Sequence, residues 1–390
     1  MPATRPNILW FSMEDTTPRF GCYGDKLART PNLDRLAAGG CIYPNAFCVS
    51  GVSAPSRAAI VTGMYPTTLG AQHMRTTHID KRTPELPTPY DAVVPPYVKC
   101  FPEYLRMAGY YCTNNEKTDY QFAPPFTAWD ECGKTGHWRN RREPGQPFFA
   151  VFNPTVTHES GMWPKPDKPL RTDPDAVELP PYLPNTRKAR EALARQYDNI
   201  AESDARLGEI LGQLEADRLA ENTLVFVWSD HGEGLPRRKR WPYDSGTRIP
   251  LIVRWPGTLQ PGSRNERLVS LVDLGPTVLS LCGVPLPAHC QGQPFLGPLE
   301  KPREYVYSTR DRHDNAYDMV RSVRDTRYRY VRHFYPGTPY LPWVPYRNRH
   351  PVAQELYRLH AEGKLEGDQN FLFRTRPRRN SSTSRPTRTN

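Results

Sequence analysis

The sequence predicts an α/β fold: a three-layer α/β/α sandwich with a large, mostly parallel sheet, followed by a small C-terminal α+β subdomain. Three observations predict it. Short apolar runs are typical of buried strands, amphipathic helical segments lie between them, and strands that alternate with helices imply a parallel sheet covered on both faces. The 390 residues suffice to bury such a core.

Four apolar runs predict the strands of this sheet. They are NILWFS (7–12), FFAVFN (148–153), TLVFVWS (223–229) and PLIVRW (250–255). Each has the length of a strand and lacks the length of a helix. We therefore expect all four strands in the core of the sheet.

Two segments predict helices that cover the sheet. In residues 186–218, apolar side chains recur at steps of three and four, which places one apolar stripe against the core. The members of this stripe are Leu193, Tyr197, Ile200, Leu207, Ile210, Leu211 and Leu214. The segment LVDLGPTVLSLCGV (271–284) predicts a second helix on the same sheet.

The composition changes after about residue 300, which predicts three regions. Residues 1–300 form the α/β domain, and residues 301–372, with short aromatic runs and one short helix, form the small subdomain. Residues 373–390 read as a basic disordered tail, because the last 17 residues hold six arginines and no acid. Contact between this tail and nucleic acid or another polyanion is the alternative interpretation.

The bulk properties exclude some classes of protein. No apolar run approaches the ~18–20 residues of a membrane span, so we expect no membrane partner. The formal net charge of +11 suits an anionic substrate, and we expect no nucleic-acid partner. The N-terminus lacks the architecture of a signal peptide, which leaves the location open between the cytoplasm and export with a removed leader. The eight cysteines show no zinc spacing and predict scattered thiols, or a disulfide or two in an exported protein.

Carboxylates and histidines follow three of the predicted strands. Glu14 and Asp15 come after the first, Asp230 and His231 after the third, and His158 after the second. Ligands of parallel α/β sheets bind beyond the carboxyl ends of the strands. Adjacent carboxylates repel unless a cation lies between them, so this edge predicts a hard-oxygen site for Ca²⁺ or Mg²⁺.

The stretch SAPSRAAIVTG, from Ser53 to Gly63, predicts the start of a helix. Ser53 or Ser56 is the candidate N-cap. The alternative is chemical, because a helix N-terminus favours anions and Arg57 would reach the same spot as a bidentate clamp. A hydroxyl nucleophile, a cation and a guanidinium around one anion are suited to sulfuryl or phosphoryl transfer.

The same stretch resembles a family signature. Ser53-x-Pro-Ser-Arg57 followed by Thr62-Gly63 resembles the type I sulfatase pattern, in which cysteine or serine stands first. The segments NILWFSMED, WSDHGEG and YDSGTRIPLIVRWPG are similar to that family and keep its order. The resemblance covers about residues 6–360. It implies the fold of the alkaline-phosphatase superfamily, with residues 1–300 as the catalytic domain.

The resemblance implies a modified residue at position 53. Ser53 would be converted to formylglycine by a formylglycine-generating maturase of the radical type. In the hydrated form, one hydroxyl attacks sulfur and the other expels sulfate, which regenerates the aldehyde. An unmodified serine lacks the second hydroxyl and would stay trapped as a sulfate ester. The expected substrate is a sulfated carbohydrate.

The resemblance also assigns the remaining site residues. The metal ligands, usually for Ca²⁺ and less readily for Mg²⁺, would be Glu14, Asp15, Asp230 and His231, with Ser53 as a further oxygen ligand. Arg57 would hold the formylglycine and the metal-site carboxylates.

Around the substrate, the resemblance implies that Lys117 and Lys239 hold sulfate oxygens. His158 would be a general acid at the leaving group or a bridge to the sulfate. The other interpretation of Lys239 is a solvated charged face, because it lies in the basic run RRKR. His73 is a candidate for substrate binding, and the segment GAQHMR around it is similar to the heparan and N-sulfoglucosamine sulfatase branch.

Three positions depart from the family pattern. Glu14 stands where aspartate is usual, His231 where asparagine or glutamine is commoner, and Asp119 where a histidine often follows the lysine. A nitrogen ligand is less natural for Ca²⁺ than an oxygen ligand. The departure at Asp119 leaves open which group protonates the leaving oxygen.

Two alternatives to a sulfuric ester hydrolase stay open. One is hydrolysis of phosphate or phosphonate esters by an unmodified Ser53, although serine-dependent relatives of that kind use zinc pairs with several histidines. The other is a non-catalytic binder of sulfated glycans in which Ser53 stays unmodified. The mass of the peptide that contains Ser53 separates these hypotheses.

Overall fold

A computed structural model describes residues 5–74 and 91–383. The strands in these residues are β1 (Asn7–Met13), β2 (Cys41–Ile42), β3 (Ala46–Phe47), β4 (Tyr111–Asn115), β5 (Glu131–Cys132), β6 (Phe148–Phe152), β7 (Thr223–Ser229), β8 (Arg248–Ile249), β9 (Leu251–Arg254), β10 (Ser263–Arg264), β11 (Val269–Ser270), β12 (Val306–Arg310), β13 (Val320–Arg324), β14 (Tyr328–His333) and β15 (Arg379–Thr383). The α-helices are α1 (Pro31–Ala38), α2 (Ser53–Thr62), α3 (Pro66–Leu69), α4 (Phe101–Met107), α5 (Arg187–Ala216), α6 (Asp244–Thr247), α7 (Leu274–Leu281) and α8 (Pro351–Ala361).

The main sheet has eight strands in the order β10-β2-β9-β7-β1-β6-β4-β5. Its centre is parallel: β1 pairs in parallel with β6 and β7, and β6 pairs in parallel with β4. Only β9 runs antiparallel to its two neighbours, β7 and β2, within this sheet as described. The prediction of a large, mostly parallel sheet is therefore confirmed. A three-stranded sheet, β11-β3-β8, lies beside it.

Both faces of the main sheet are covered by helices, as predicted. Along β1, Ile8 and Trp10 point into a core that also contains residues of α2, α4 and α7. The alternate residues Leu9, Phe11 and Met13 point into a second core with residues of α1 and α5. Since successive side chains of a strand face opposite sides, one strand built from apolar residues serves both cores. The result is the three-layer α/β/α sandwich.

The predicted elements lie close to the observed ones. The strand predicted at 250–255 is shorter, Leu251–Arg254, and the helix predicted at 186–218 is Arg187–Ala216. The Thr186 hydroxyl accepts a hydrogen bond from the backbone N of Ala189 at 3.3 Å, which caps the start of α5. The helix predicted at 271–284 is a 3₁₀ turn followed by α7.

The chain after residue 300 forms an antiparallel sheet, β12-β13-β14-β15, together with α8. Apolar residues of α5, α8, β13 and β14 share one buried cluster, so this region packs against the main domain. The division at residue 300 stays a prediction.

The prediction that residues 373–390 form a disordered tail is wrong for Arg379–Thr383. Arg379–Thr383 pairs with β14 in an antiparallel ladder, with Tyr330 opposite Ser381. Backbone pairing along an open strand edge needs no apolar side chains, so composition alone did not reveal it. Residues 384–390 lie outside the described residues.

Two expectations from composition can be compared with the described residues. All eight cysteines lie among them, and each is a free thiol. None of the helices in the described part of the chain combines the length and the apolar character that a membrane span requires.

Candidate active site

Two neighbouring strands deliver the acidic residues of the site. Glu14 and Asp15 follow β1, and Asp230 and His231 follow β7, its parallel neighbour. The backbone N of Asp15 donates to Asp230 Oδ1 at 3.2 Å. All four residues are fully or almost fully buried. The predicted convergence at the carboxyl edge of the sheet is therefore observed for these two strands.

Three of these residues form a group suited to a divalent cation. Asp15, Asp230 and His231 each offer one ligand atom, and these atoms lie within 4.8 Å of one another. Asp15 Oδ1 is buried and has no hydrogen-bond donor of good geometry among the described residues, although His231 Nε2 lies 3.1 Å away. A buried carboxylate oxygen without a donor fits a bound cation, because an unsatisfied buried charge is costly.

Glu14 lies beside this group and is held by cations. Its carboxylate pairs with the Lys117 ammonium and lies 3.8 Å from Arg57 Nη2. The groups with metal-ligand geometry among the described residues do not include Glu14. Its predicted role as a ligand stays a prediction.

The charges of the group are strongly coupled. Burial alone would raise the pKa of Asp15, but the positive charges of Lys239 and His231 outweigh burial and hold that pKa well below its usual value. Burial also opposes ionisation of Asp230, and His231 and Arg57 lower the pKa of Asp230 in spite of it. Both carboxylates are therefore ionised at neutral pH, as cation binding requires.

Ser53 is the first residue of α2, and every residue of this helix is buried. Its Oγ lies 3.1 Å from His231 Nε2, at the border of the group formed by Asp15, Asp230 and His231. Neither Ser53 nor Ser56 caps the helix, which corrects the prediction from the sequence: Val52 is the N-cap residue, without a side-chain cap. Ser56 Oγ instead donates to the carbonyl oxygen of Asp230 at 2.6 Å. The two serines thus attach the start of α2 to the loop after β7.

Arg57 holds several strand ends together. Its Nε donates to Asp230 Oδ2 at 3.0 Å, its Nη1 to Asn153 Oδ1 at 3.1 Å, and its Nη2 to Ser12 Oγ at 3.2 Å. Each guanidinium nitrogen therefore donates within the protein. Arg57 positions the carboxylate of Asp230, which agrees with part of its predicted role, and its role as a bidentate clamp on a substrate anion stays a prediction.

Lys239 is buried between two carboxylates. Its Nζ lies 2.7 Å from Asp15 Oδ2 and 3.0 Å from Glu159 Oε1, and it contacts His158 Nε2 at 3.3 Å. Only 6% of Lys239 is exposed, so the interpretation of this lysine as part of a solvated face is wrong. Burial and the neighbouring ammonium lower the pKa of His158, which keeps its imidazole neutral near pH 7.

The loop after β7 approaches the site closely and needs a glycine. A Cβ on Gly234 would lie 2.5 Å from the Cβ of Glu159 and 3.3 Å from Asp15 Oδ2. Asp15 itself has a left-handed backbone with a φ of 45°. Non-glycine residues adopt this conformation rarely, and such residues often mark functional sites.

The remaining predicted residues lie at two borders of the site. Lys117 follows β4, and its ammonium pairs with Glu14 and lies 3.3 Å from Asp119 Oδ2. His73 is half-buried, and its Nδ1 accepts a hydrogen bond from the backbone N of Arg312 at 3.3 Å. This contact places His73 against the hairpin of the C-terminal sheet. Its role in substrate binding stays a prediction.

Contacts join nine of the ten predicted residues, and His73 is the tenth. One series of contacts runs from Ser53 through His231, Asp15 and Lys239 to His158. A second series runs from Asp230 through Arg57 and Glu14 to Lys117.

Three buried residues of the site were not predicted. Glu159 accepts a two-pronged ion pair from Arg240, at 2.9 and 3.0 Å, and Asn153 accepts from Arg57. Asn153 is the last letter of the strand-like run FFAVFN, and Glu159 follows His158 directly, so both stand at a predicted strand end. Arg240 gave no such signal, because it closes the basic run RRKR.

The sequence matches two family models. The model described as sulfatase matches residues 6–284, and the model of the C-terminal region of N-sulphoglucosamine sulphohydrolase matches residues 232–340. The first match covers more than half of the chain and includes each predicted site residue.

Curated relatives agree with this match. An ulvan-active sulfatase of Formosa agariphila is 44% identical over 406 aligned residues, which cover 95% of this chain and 68% of that protein. The chain spans about two thirds of the length of the curated relatives that it matches.

Solved structures share the fold. A 2-O GAG sulfatase has a TM-score of 0.67 at 19% identity, with 92% of this chain and 90% of that chain covered. A phosphonate monoester hydrolase of Silicibacter pomeroyi has a TM-score of 0.64 at 19% identity, with coverage of 84% and 87%. At these identities the likeness concerns the fold alone. The family match and the relative that is 44% identical show that this chain belongs to the sulfatase family.

Proposed function

We propose that this sulfatase removes sulfate from ester positions of a sulfated polysaccharide, with formylglycine formed at Ser53 and Ca²⁺ as the divalent cation. The observation that carries the proposal is the position of Ser53. Its side chain lies at the buried N-terminus of α2, 3.1 Å from His231, within a set of paired carboxylates and cations. This arrangement provides a nucleophile position, a cation site and fixed positive charge for one anionic group.

The cation would be held by Asp15, Asp230 and His231, with Glu14 next to them, and its binding would displace the proton of the His231 imidazole. Carboxylate oxygens favour a hard cation, and the flexible coordination of Ca²⁺ tolerates this mixed set better than the strict octahedron of Mg²⁺. When bound, the cation supplies positive charge to the sulfate oxygens. Arg57 keeps the carboxylate of Asp230 in place through its 3.0 Å contact.

The protein's own side chains would perform the remaining steps. Lys239 and Lys117 donate hydrogen bonds to sulfate oxygens and balance the charge that develops on them. His158 lies 3.3 Å from Lys239 Nζ and is neutral before substrate binds. An entering sulfate raises its proton affinity, so His158 takes up a proton and delivers it to the leaving oxygen. Formylglycine at Ser53 supplies a second hydroxyl when hydrated, which permits the release of sulfate.

The comparisons support a choice of substrate class. The relative that is 44% identical is named as ulvan-active, and the match over residues 232–340 supports the predicted link to the N-sulfoglucosamine branch. We therefore propose an O-sulfated polysaccharide of the ulvan type as the first choice and an N-sulfated glucosamine as the second.

The test uses protein expressed together with a formylglycine-generating maturase. We expect matured protein to release sulfate from ulvan oligosaccharides, with S53A inactive and equally stable in thermal unfolding. The peptide that contains Ser53 should be lighter by two hydrogen atoms. Active protein with an unmodified serine would contradict the formylglycine proposal, and inactive protein with complete conversion would contradict the substrate class.

A phosphonate or phosphate ester hydrolase is the second candidate, because a phosphonate monoester hydrolase shares the fold at a TM-score of 0.64. Only one histidine belongs to the group of Asp15, Asp230 and His231, whereas serine-dependent zinc enzymes of the superfamily use several. An aryl sulfate and the matching aryl phosphate, assayed side by side, separate the two candidates. We expect faster hydrolysis of the sulfate. Unmodified protein that binds sulfated glycans without turnover would indicate the non-catalytic binder.

A further inference from the structure

An aromatic and cationic surface lies beside His158, the residue placed at the leaving group. It consists of Trp163, Tyr346 and Arg349, and we call it the Trp163–Tyr346–Arg349 platform. We propose that this platform binds the sugar next to the sulfated one, through the face of that sugar's ring and an anionic substituent on it. The inference rests on the proposed function, because it names the neighbouring part of the same substrate.

The platform adjoins the reacting centre. The ring of Tyr346 lies 6.3 Å from the ring of His158, measured between centroids, and 5.6 Å from the ring of Trp163. Burial raises the pKa of the Tyr346 hydroxyl and the nearby Glu159 carboxylate raises it further, which agrees with its position beside the site. A sugar attached to the leaving oxygen at His158 therefore meets Tyr346 first and Trp163 next.

Arg349 covers the outer side of the two rings. Its guanidinium carbon lies 4.4 Å from the centroid of the Trp163 ring and 5.9 Å from that of the Tyr346 ring. The side chain is exposed, whereas Trp163 and Tyr346 are half-buried. A planar guanidinium next to aromatic rings presents its donors at the edge, where a ligand can approach.

The scaffold holds the platform in place from two sides. Trp163 follows the 3₁₀ turn Glu159–Met162, which starts directly after His158. Tyr346 precedes the turn Arg347–Arg349 before α8, and Arg349 is the last residue of that turn. Arg347 and His350 on the inner side are buried. The main domain and the C-terminal region thus each supply part of one surface.

The charge of Arg349 is available to a ligand. Lys239 and Arg240, the nearby buried cations, are both paired with Glu159. For Arg349, by contrast, no carboxylate oxygen among residues 5–74 and 91–383 lies within 4.0 Å of a guanidinium nitrogen. An exposed guanidinium without an acidic partner is the group that binds carboxylate or sulfate through two hydrogen bonds.

The chemistry fits a polyanionic glycan. The apolar face of a pyranose ring packs on an aromatic ring, which contributes area and orientation. A carboxylate or a second sulfate on that sugar would accept from Arg349. The platform thereby favours an anionic neighbour over a neutral one and an oligosaccharide over a small aryl sulfate.

Binding to the unconverted protein tests the platform without turnover. In the S53A background, isothermal titration with a sulfated, uronate-containing ulvan tetrasaccharide gives the dissociation constant. We expect R349Q to raise it about tenfold or more, as for loss of a charge-assisted hydrogen bond, and R349K to raise it less. R332Q is the matched control, because Arg332 is exposed and stacks on Phe334 at 4.6 Å. It should stay within about twofold.

Kinetics on matured protein give the second readout. R349Q should raise KM for the tetrasaccharide about tenfold with kcat retained. Its kcat/KM for an aryl sulfate should stay within about twofold of the parent value. A carboxyl-reduced tetrasaccharide identifies the anion that Arg349 binds. If this ligand binds the parent and R349Q equally, the anion is the carboxylate. If R349Q still binds this ligand more weakly than the parent does, the anion is a sulfate. An unchanged dissociation constant in R349Q, or equal losses on tetrasaccharide and aryl sulfate, overturns the platform. Absent turnover by fully converted wild-type protein contradicts the proposed function, whereas the titration still decides the platform.

Discussion

At the scale of single residues, Lys239 has the most demanding position in the site. It is buried, and its ammonium is the shared partner of Asp15 and Glu159. Burial alone would lower the pKa of this lysine, but the two carboxylates raise it above its usual value. Lys239 therefore stays charged across the neutral range and can stabilise an anion.

We expect K239A to lower kcat/KM by about 100- to 1,000-fold, because it removes a fixed charge from the sulfate position. The measurement is steady-state hydrolysis of an aryl sulfate by matured protein. K364A is the control, since Lys364 is exposed and pairs with Glu362 at the surface. Activity of K239A near that of the parent would show that Lys239 does not contact sulfate.

At the scale of elements, α5 forms much of one layer of the sandwich. It spans 30 residues, and its buried stripe packs on the sheet. The first turn depends on Thr186, whose hydroxyl accepts from the backbone N of Ala189.

We expect T186A to lower the free energy of unfolding by about 1 kcal/mol, because the cap hydrogen bond is lost. T186S keeps an accepting hydroxyl and should lose much less. Urea unfolding followed by circular dichroism measures both variants. Equal losses in the two variants would mean that the methyl group of Thr186, rather than the cap, supplies the stability.

At the scale of the whole molecule, cation binding is expected to be linked to folding. The acidic group of Asp15, Asp230 and His231 comes from two strands that meet only in the folded chain. A ligand that binds the folded state alone stabilises it by mass action.

We expect a chelator to lower the melting temperature of the protein and added Ca²⁺ to restore it. D230N should reduce this response, because it removes one anionic ligand. Differential scanning calorimetry with and without Ca²⁺ measures the effect. A melting temperature that is independent of both reagents would contradict the cation site.

The stability of the whole molecule should also depend on pH through His350. Burial lowers the pKa of this residue to about 4 in the folded state, from 6.5. Between these values the unfolded chain binds a proton that the folded chain does not, so stability falls as the pH falls from 6.5 to about 4.

We expect H350N to reduce this loss by up to about 3 kcal/mol, since each pKa unit corresponds to about 1.4 kcal/mol. His350 caps α8, because its Nδ1 accepts a hydrogen bond from the backbone N of Val352 at 3.2 Å. An asparagine side chain can still accept this hydrogen bond. Urea unfolding of both proteins at pH 7 and pH 4.5 tests the prediction. If H350N loses as much unfolding free energy between pH 7 and pH 4.5 as the parent does, His350 is excluded as the cause.

The sequence predicted the central strands, which apolar patterning determines, and the site residues that follow the strand ends. The run NILWFS (7–12) identified a central strand, and Glu14 and Asp15, which follow shortly after it, lie at the site. The features that the sequence did not predict depend on contacts between residues far apart in the chain. The ion pair of Arg240 with Glu159 joins residues 81 positions apart, so the basic run RRKR gave no sign that two of its members are buried. The strand Arg379–Thr383 depends on the open edge of β14, which composition does not show.

The burial of Ser53 sets an order of events. Only 3% of this residue is exposed, and the whole of α2 is enclosed between the sheet and its neighbours. An enzyme that oxidises this side chain has to reach it, and the folded protein leaves it almost inaccessible. If Ser53 is converted to formylglycine, as we propose, the conversion would precede folding, and protein purified with an intact serine should resist later treatment until it is denatured.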